Sequence, residues 1–413
     1  MNTWTHRLRL AITFAILLAM ISSSRAADLD TADSESDSTP QYLLVNVRKV
    51  TREVIDEIRG KTRTATGGHI RLGVACIYSY LARDNDEQLV AEIRDALRTA
   101  EQTDTPIYIQ IEGEVWWQAR PDLWNWWEPD KPGFDPRNRQ NVEWSSWDSC
   151  DALKIAWLDW GRQMRMVPPP NLMSPRYRAV CHEKMRVIVP EIVSWWKQLP
   201  ESKKDLFVGL KVGWESAIGV GAYYYPDGNT LLDKPAKDDP TSGRNALELP
   251  ARGVSQIGFA AVKTAGIRSA GEITEADLAE VIRRHLDDLC HEAAQLGVPR
   301  DRLFTHCGGW AENELLYRSA LNPWSCPGWS FYAHAADPMQ DSGVRHALSE
   351  SDAPCWAATE WLCRSQDLAS WQQALETTLS APKCRLICIY NWWGIEGNAA
   401  ALKAIEQVVS LRR

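Results

Sequence analysis

Short runs rich in β-branched and aromatic residues alternate with helix-forming stretches along most of this chain, and this alternation limits the possible folds more than any other feature. The strand-like runs span 70–80, 106–114, 152–160, 206–215, 302–310, 328–335, 354–361 and 385–393. Between them lie stretches such as 86–102, 275–297 and 367–379, whose apolar residues recur every three or four positions, as amphipathic helices require. Strands that alternate with helices predict a parallel sheet with helical crossovers.

Eight such units predict a closed (β/α)8 barrel, the TIM-barrel fold, with an elaborated tryptophan-rich C-terminal face. A doubly wound open sheet is the alternative, but no G-x-G-x-x-G phosphate turn follows the first run. The segment 42–47 (YLLVNV) is either a ninth, accessory strand or strand one itself, which would shift the count. We therefore expect one domain over 42–413, with the barrel proper at about 70–410.

The first 26 residues have the pattern of a secretory signal peptide. Basic residues at 6–9 precede an apolar run over 10–21, and small residues permit cleavage after Ala26. The run is short for a permanent membrane span, so a retained anchor is the less favoured alternative. The acidic segment 27–41 has too few hydrophobic residues to offset its ordering entropy and is expected to be flexible. These features predict a secreted or periplasmic protein, with no membrane insertion after signal removal.

The charge of the chain restricts its partners. The formal net charge is −8, the pI is near 5.6, and no long run of Lys and Arg occurs, which argues against nucleic acid and anionic membranes as partners. A neutral ligand fits better. Cys and His do not fall at zinc-site spacing, and no motif indicates a redox cofactor, a nucleotide or a metal, so no cofactor is expected. The sequence is silent on oligomeric state.

All ten cysteines follow the predicted signal peptide, in a chain expected to meet an oxidising compartment. Four lie inside strand-like runs and are expected to be small buried hydrophobic residues: Cys76, Cys307, Cys355 and Cys388. Five are better placed for disulfides, although sequence does not give connectivity: Cys150, Cys181, Cys326, Cys363 and Cys384.

The carboxyl ends of the strand-like runs carry polar and aromatic residues, which is where a (β/α)8 barrel places its chemistry. The candidates, in chain order, are Glu112 and Glu114, Asp159, Glu215, His306 and Trp310, Tyr332 and His334, Glu360, and Asn391 and Trp392. Residues that alternate along a strand face opposite sides. Alternation predicts that the barrel interior receives Tyr108, Gln110, Glu112, Glu114, Lys211 and Glu215. It places Val208, Leu210, Val212 and Trp214 against the helices, and Trp356, Ala358 and Glu360 on one shared face.

Two glutamates at the mouth of one barrel suit a hydrolysis in which one carboxyl donates a proton while the other attacks. The segments Trp214-Glu215-Ser216 and Thr359-Glu360-Trp361, in their strand positions, resemble the retaining glycoside hydrolases of clan A over about 70–410. That family carries its acid/base glutamate at the end of strand four and its nucleophilic glutamate at the end of strand seven. The resemblance implies that Glu215 is the acid/base and Glu360 the nucleophile. Clan A usually has Asn before the acid/base, where this chain has Trp214.

The stretch EGEVWWQARPDLWNWW (112–127) contains five tryptophans in a predicted loop above the barrel. Pyranose rings present apolar C–H faces that stack on indole, so a sugar-binding role is predicted, with packing within the loop as the alternative. The predicted substrate-binding residues are Glu112, Glu114, Trp116, Trp117, Asp159, Tyr223, His306, Trp310, Tyr332, His334, Asn391 and Trp392. The connection after the fourth run is expected to form a substrate-covering flap with an aromatic half at 223–225 and a mobile charged half at 233–245.

Together these features predict a secreted glycosidase that cleaves a neutral oligo- or polysaccharide by a two-glutamate retaining mechanism. One alternative is a secreted carbohydrate-binding protein on a barrel scaffold without turnover. Another is a barrel hydrolase or lyase of a different substrate class. A structural ion pair that uses Lys211 or Arg364 is the alternative role for Glu215 and Glu360.

Overall fold

Eight parallel strands close into a barrel in the computed structural model, which describes residues 40–64, 68–159, 163–234, 254–308 and 314–411. The barrel strands are β1 (Gln41–Val47), β2 (Ile70–Ser79), β3 (Ile107–Glu112), β4 (Phe207–Ser216), β5 (Leu303–Cys307), β6 (Gly328–Phe331), β7 (Trp356–Trp361) and β8 (Cys384–Ile389). Each strand pairs with the next in the chain, and β8 pairs with β1 through Tyr42 and Leu386 to complete the circle. The predicted (β/α)8 fold is confirmed.

Helices fill the connections between the strands, as the sequence periodicity predicts. They are α1 (Arg52–Thr62), α2 (Asp86–Gln102), α3 (Pro121–Trp124), α4 (Pro175–Gln198), α5 (Phe259–Thr264), α6 (Glu275–Gln295), α7 (Glu314–Arg318), α8 (Ser342–Glu350), α9 (Leu368–Ser380), α10 (Trp392–Ile395) and α11 (Ala399–Leu411). Among the residues described, no helix combines the length and apolar character that a membrane crossing requires. The predicted signal peptide, nearly all of the acidic segment 27–41 and most of the charged half of the flap lie outside the described residues.

The strand count differs from the prediction in two places. The run 42–47 is strand one of the barrel, so the barrel begins at Gln41 and not near residue 70. The run 152–160 is not a barrel strand, because Ala156–Asp159 pairs in antiparallel fashion with Gln163–Met166 and with Ala222–Tyr223. We call these three segments the small sheet. The two errors offset each other, so Glu215 and Glu360 still lie on strands four and seven.

Apolar side chains fill the lower half of the barrel interior. Tyr42, Leu44, Tyr108, Phe304, Leu386 and Cys388 form this plug with their buried neighbours. Val208 also lies here, although alternation predicted that it faces the helices. The reason is a register shift: Ile107 pairs with Phe207 but Tyr108 pairs with Gly209, so one extra residue enters β4. The plug leaves the upper half of the barrel for polar chemistry.

The tryptophans after β3 mainly hold their own loop together. Trp117 is fully buried and donates its indole N–H to the carbonyl of Pro168 at 2.9 Å. Trp124 and Trp126 donate to the carbonyls of Trp117 and Leu153. Trp144 donates to Arg139 at 2.7 Å in the same way. A long loop contains many backbone carbonyls that need partners, and indole supplies a donor together with a large apolar surface.

Glu143 ties this loop to α5. Its Oε2 accepts from the backbone N–H groups of Gly258 and Ala260, at 3.1 and 3.2 Å, while its Oε1 is buried with no partner among the described residues. Burial raises the pKa of Glu143 from 4.5 to about 8. A carboxyl with a raised pKa contributes full stability below its unfolded pKa, and this contribution is lost as the pH rises through the folded pKa.

We therefore predict that Glu143→Gln stabilises the protein increasingly as the pH rises from about 4.5 to 8. Glutamine keeps the accepting oxygen and carries no charge to bury. The measurement is the difference in Tm between variant and wild type across that pH range. Glu350→Gln, at an exposed position on α8, is the control and should give a small difference with little pH dependence. A Glu143→Gln effect that does not change with pH would contradict the prediction.

Candidate active site

A bulge near the end of β4 aims Glu215 into the barrel mouth. Val212 pairs with Thr305 and Ser216 pairs with Cys307. Between these two pairs β4 advances by four residues, whereas β5 advances by only two. Gly213 and Glu215 both adopt positive φ, at 89° and 40°. Bulges redirect side chains and are common beside active sites. Glu215 therefore faces inward as predicted, but through a local distortion of the strand.

Gly213 is required by this bulge. A Cβ at this position would lie 2.7 Å from Leu286 Cδ2 and 2.8 Å from Ser216 Oγ, on a backbone that L-residues rarely adopt. We predict that Gly213→Ala lowers kcat more than tenfold and also lowers Tm, because the strand must shift and Glu215 shifts with it. Gly60→Ala is the control, since no atom lies within 4 Å of that added Cβ on α1. Wild-type kcat in Gly213→Ala would show that the bulge does not position Glu215.

A second bulge aims Glu360. Ala358 pairs with Trp329 and Glu360 pairs with Ser330, so Thr359 is an extra residue in β7. Trp356 and Ala358 pack in the outer core, between the barrel and the helices. Regular alternation would therefore have turned Glu360 outward with them. The prediction that these three residues share one face is wrong, because the bulge reverses the direction of Glu360.

The two glutamates meet at the mouth. Glu215 is 7% exposed and Glu360 is 5% exposed, and an oxygen of each carboxylate lies within 4.8 Å of an oxygen of the other. Ser330 Oγ donates to Glu215 Oε1 at 2.6 Å, and the hydroxyl of Tyr332 donates to Glu360 Oε1. Burial, followed by the neighbouring carboxylate of Glu215, raises the pKa of Glu360 well above its ordinary value. Two buried carboxyl groups this close disfavour simultaneous ionisation, so their titrations are linked.

A line of buried hydrogen bonds supports the pair from below. Lys211, which is fully buried, donates to Glu112 Oε1 at 2.5 Å and to His306 Nδ1 at 2.8 Å. Because an ammonium group can only donate, Nδ1 accepts and the proton of the imidazole lies on Nε2. That Nε2 donates to Ser330 Oγ at 2.9 Å, and Ser330 in turn donates to Glu215. Burial and the charge of Lys211 lower the pKa of His306, which keeps its ring neutral.

Glu215, His306 and Glu360 also have the spacing of a metal site, with one ligand atom of each within 4.8 Å of the others. The hydrogen bonding does not fit that use. His306 Nε2 is the nitrogen that approaches Glu360, at 3.6 Å, and the tautomer imposed by Lys211 places a proton on it. A ligating nitrogen needs a free lone pair. The arrangement suits a pair of carboxyl groups with linked titrations better than a metal centre.

Glu112 and Glu114 have different surroundings. Glu112 lies inside the barrel in its ion pair with Lys211. Glu114 Oε1 accepts from the backbone N–H of Trp214, from Ser216 Oγ and from His285 Nε2 on α6, so it supports the β4 bulge. Lys211, expected as a possible ion-pair partner of Glu215 or Glu360, thus pairs with Glu112.

Trp214, the residue before Glu215, belongs to a small apolar cluster separate from the main core. Its side chain packs with Val115 and Leu158 beneath the small sheet, outside the barrel mouth and away from the helical layer that alternation predicted. Trp116 packs against the same cluster. Tyr223 and Asp159 belong to the strands of the small sheet, and Tyr223 is half-buried there. The side chain of Asp159, like the whole of Trp310, lies outside the described residues.

The remaining predicted residues lie at the carboxyl ends of β6 and β8. His334 Nε2 lies 3.6 Å from Asp341. The side chain of Asn391 caps α10 by accepting from the backbone N–H of Gly394 at 3.1 Å. Trp392 is buried, and Lys61 of α1 lies 5.5 Å from its ring, so it packs toward the helices. These contacts make Asn391 and Trp392 structural parts of the rim.

Sequence reasoning missed two residues of the site, Ser330 and Tyr390, and noted Trp393 only together with Trp392 as an aromatic end of the eighth run. Ser330 bridges His306 and Glu215, and alternation along β6 from Tyr332 would have placed it inward. Burial and the carboxylates of Glu360, Glu112 and Glu215 raise the pKa of Tyr390, which follows β8. Trp393 is 40% exposed, with Arg48 at 4.6 Å over its ring and Tyr390 at its edge. Among the described residues, Tyr390 and Trp393 provide the aromatic rim beside the carboxylates.

No family model matches the sequence, and no curated protein is significantly similar to it. Among solved structures, the chain is similar to a family 5 (GH5) xyloglucan-specific endo-β-1,4-glucanase from a metagenomic library, at 10% identity and TM-score 0.42 over 88% of each chain. It is similar to a glycoside hydrolase family 5 enzyme from Prevotella bryantii B14, at 8% identity and TM-score 0.41 over 92% of this chain and 99% of that one. A GH113 β-1,4-mannanase gives 10% identity and TM-score 0.37 over 90% and 98%. At these values the barrel assignment depends on the strand pairing, and the site assignment on its geometry.

Proposed function

We propose that this protein is a retaining glycoside hydrolase that acts on a neutral oligo- or polysaccharide, with Glu215 as acid/base and Glu360 as nucleophile. The observation that carries the proposal is the pair of buried carboxylates, with oxygens within 4.8 Å of each other, at the carboxyl ends of β4 and β7. Carboxyl groups about 5–5.5 Å apart favour direct attack, whereas about 6.5–9.5 Å leaves room for a water and favours inversion. A closest oxygen–oxygen distance of no more than 4.8 Å is compatible with the shorter of these carboxyl separations, which is why the proposal is a retaining reaction.

In the first half of the proposed reaction, Glu360 attacks the anomeric carbon while the Glu215 carboxylic acid protonates the leaving oxygen. The C–O bond to the leaving group breaks as the glycosyl–Glu360 ester forms. Tyr332 donates to Glu360 Oε1, which leaves Oε2 as the attacking oxygen.

In the second half, the Glu215 carboxylate removes a proton from water, and the resulting hydroxide releases the sugar from Glu360. Both carboxyl groups then return to their starting forms. Ser330 donates to Glu215 Oε1 throughout, and its own donor, His306 Nε2–H, is fixed by Lys211. Glu215 Oε1 is therefore engaged, and Oε2 is the oxygen that exchanges protons with the leaving group and with water.

The test is hydrolysis of a panel of aryl glycosides and plant, algal and bacterial polysaccharides, with the anomeric configuration of the first product followed by proton NMR. We expect the product to retain the configuration of the substrate. Glu215→Gln should lose most activity on polysaccharide but less on aryl glycosides with good leaving groups, because these need little protonation. Glu350→Gln is the matched control and should keep full activity. An inverted product, or full activity of Glu215→Gln on polysaccharide, would contradict the proposal.

We also propose that the protein is exported, on the basis of the signal-like residues 1–26. The test is N-terminal sequencing of the protein recovered from outside the cytoplasm. The expected sequence begins at Ala27. Recovery of the uncleaved chain in the membrane fraction would favour a retained anchor.

A further inference from the structure

Two cysteines lie side by side at the amino ends of β6 and β7, at the opposite end of the barrel from the carboxylate pair. Cys326 is held against β5, where its N–H donates to the carbonyl of Leu303 at 2.8 Å and its carbonyl accepts from Thr305. Ala357 pairs with Gly328 across the next strand pair. Cys355 lies two residues before Ala357, and Cys326 lies two residues before Gly328. The register of the barrel therefore places the two cysteines opposite each other.

Their sulfurs are in direct contact. The Cys355 thiol donates to Cys326 Sγ at 3.3 Å, and the Cys326 thiol donates to the carbonyl of Arg300 at 3.4 Å. Cys326 is buried and Cys355 is half-buried, so the pair is reached from solvent through Cys355. A disulfide needs the sulfurs at about 2 Å, so bond formation must bring these two sulfurs closer than their present 3.3 Å. The contact between the two thiols lowers the pKa of Cys326 and raises that of Cys355, so Cys326 is the better placed of the two to act as the thiolate that attacks in the second step.

We propose that Cys326 and Cys355 form an intramolecular disulfide when the protein meets a small-molecule disulfide such as oxidised glutathione. Cys355 first forms the mixed disulfide and releases one small thiol. Cys326 then attacks the Cys355 sulfur and releases the second small thiol. The protein loses two hydrogens and two electrons, and one small disulfide is reduced to two thiols. This inference does not depend on the proposed glycosidase activity.

The bridge would lock the part of the barrel that supports the site. The loop that it closes, 29 residues from Cys326 to Cys355, contains β6 with Ser330. Strand β7, which carries Glu360, begins directly after the loop. A cross-link of this length restricts the unfolded chain and raises stability. The sequence alone placed Cys326 among the bridging candidates but assigned Cys355 to the free, buried group. The parallel register that brings the two together is visible only in the folded barrel.

The test uses the full chain with Cys150→Ser, which removes an exposed thiol and so prevents bridges between molecules. The protein is incubated with oxidised or reduced glutathione, alkylated under denaturing conditions and mapped by peptide mass spectrometry. We expect one disulfide, between the peptides that carry residues 326 and 355. We also expect Tm of the oxidised form to exceed that of the reduced form by about 5 °C.

Three serine variants make the result specific. Cys326→Ser and Cys355→Ser should each abolish the bridge and the difference in Tm between oxidised and reduced protein. Cys363→Ser, which removes a buried cysteine just beyond the other end of β7, should keep both. The proposal is overturned if both cysteines are alkylated after oxidation, if either pairs with a different cysteine, or if the bridged form melts at the temperature of the reduced form.

Discussion

Replacement of Glu360 by Gln should lower kcat by on the order of 10⁴-fold or more on any glycan that the wild type cleaves. The amide keeps the size of the side chain and can still accept from Tyr332, so the fold should persist, but it cannot form the glycosyl ester. Added azide is small enough to enter the space beside the amide and attack the anomeric carbon itself. The expected product is a glycosyl azide of inverted configuration, detected by NMR, together with partial recovery of rate.

Glu215→Gln provides the contrast within the same pair. Azide should act there only after the glycosyl ester has formed on Glu360, and it should therefore give a glycosyl azide that retains the substrate configuration. Glu350→Gln controls for the loss of one surface carboxylate and should behave as wild type. If the two products are exchanged between the Glu360 and Glu215 variants, the roles of the glutamates are reversed. Full activity of Glu360→Gln would remove it from the mechanism.

Lys211→Met should lower the free energy of unfolding by about 3–5 kcal/mol, because it leaves the Glu112 carboxylate buried without its charge partner. Lys211 is fully buried at 2.5 Å from Glu112 Oε1, so little water is available to compensate. The variant should also lose activity. The positive charge of Lys211 lowers the pKa of Glu360, and its removal should shift the acidic limb of the kcat profile to higher pH. Chemical denaturation and the pH profile measure the two effects.

The double variant Lys211→Met/Glu112→Gln separates stability from positioning. Without the buried carboxylate, most of the lost stability should return, whereas His306 still lacks the donor that fixes its tautomer, so kcat should stay low. Lys197→Met, at an exposed position on α4, is the control for loss of a lysine. If the double variant recovers both stability and kcat, Lys211 has only a structural role. If Lys211→Met has the same midpoint of chemical denaturation as the wild type, the ion pair does not stabilise the fold.

The sequence predicted the barrel and the strands that carry Glu215 and Glu360, because these depend on local patterns. Alternating strands and helices imply crossovers, and strand ends in such a barrel collect polar residues. The correct strand numbers nevertheless came from two errors that offset each other. The run 152–160 has the composition of a strand, and only its antiparallel pairing shows that it belongs to the small sheet.

The direction of individual side chains could not be predicted, because bulges depend on the pairing between strands. Alternation gave the right direction for Glu215, although the strand distorts to reach it. For Glu360 it wrongly predicted the same face as Trp356 and Ala358. The partners of Lys211 are equally non-local: Glu112 comes from β3 and His306 from β5, each about 100 residues away. No periodicity within one segment contains that information.

The sequence left open whether the tryptophans after β3 stack on sugar or pack within their own loop. Their number after β3 suggested sugar stacking, but Trp117, Trp124 and Trp126 use their indole N–H groups to hold backbone carbonyls of the loop. Trp393, in contrast, is 40% exposed, with the ring of Tyr390 at its edge. The difference between a structural and a ligand-facing tryptophan is set by which neighbour its N–H reaches, and the sequence does not record this.

The most direct test of the central claim is to trap the covalent intermediate. A 2-deoxy-2-fluoro glycosyl fluoride of the sugar that the glycan panel identifies should inactivate the enzyme. Fluorine at C2 slows both halves of the reaction, while the reactive fluoride leaving group keeps the first half fast enough for the glycosyl ester to accumulate. Mass spectrometry of the digested protein should then find the fluorosugar ester on Glu360. An adduct on Glu215, or on any residue other than Glu360, would contradict the account.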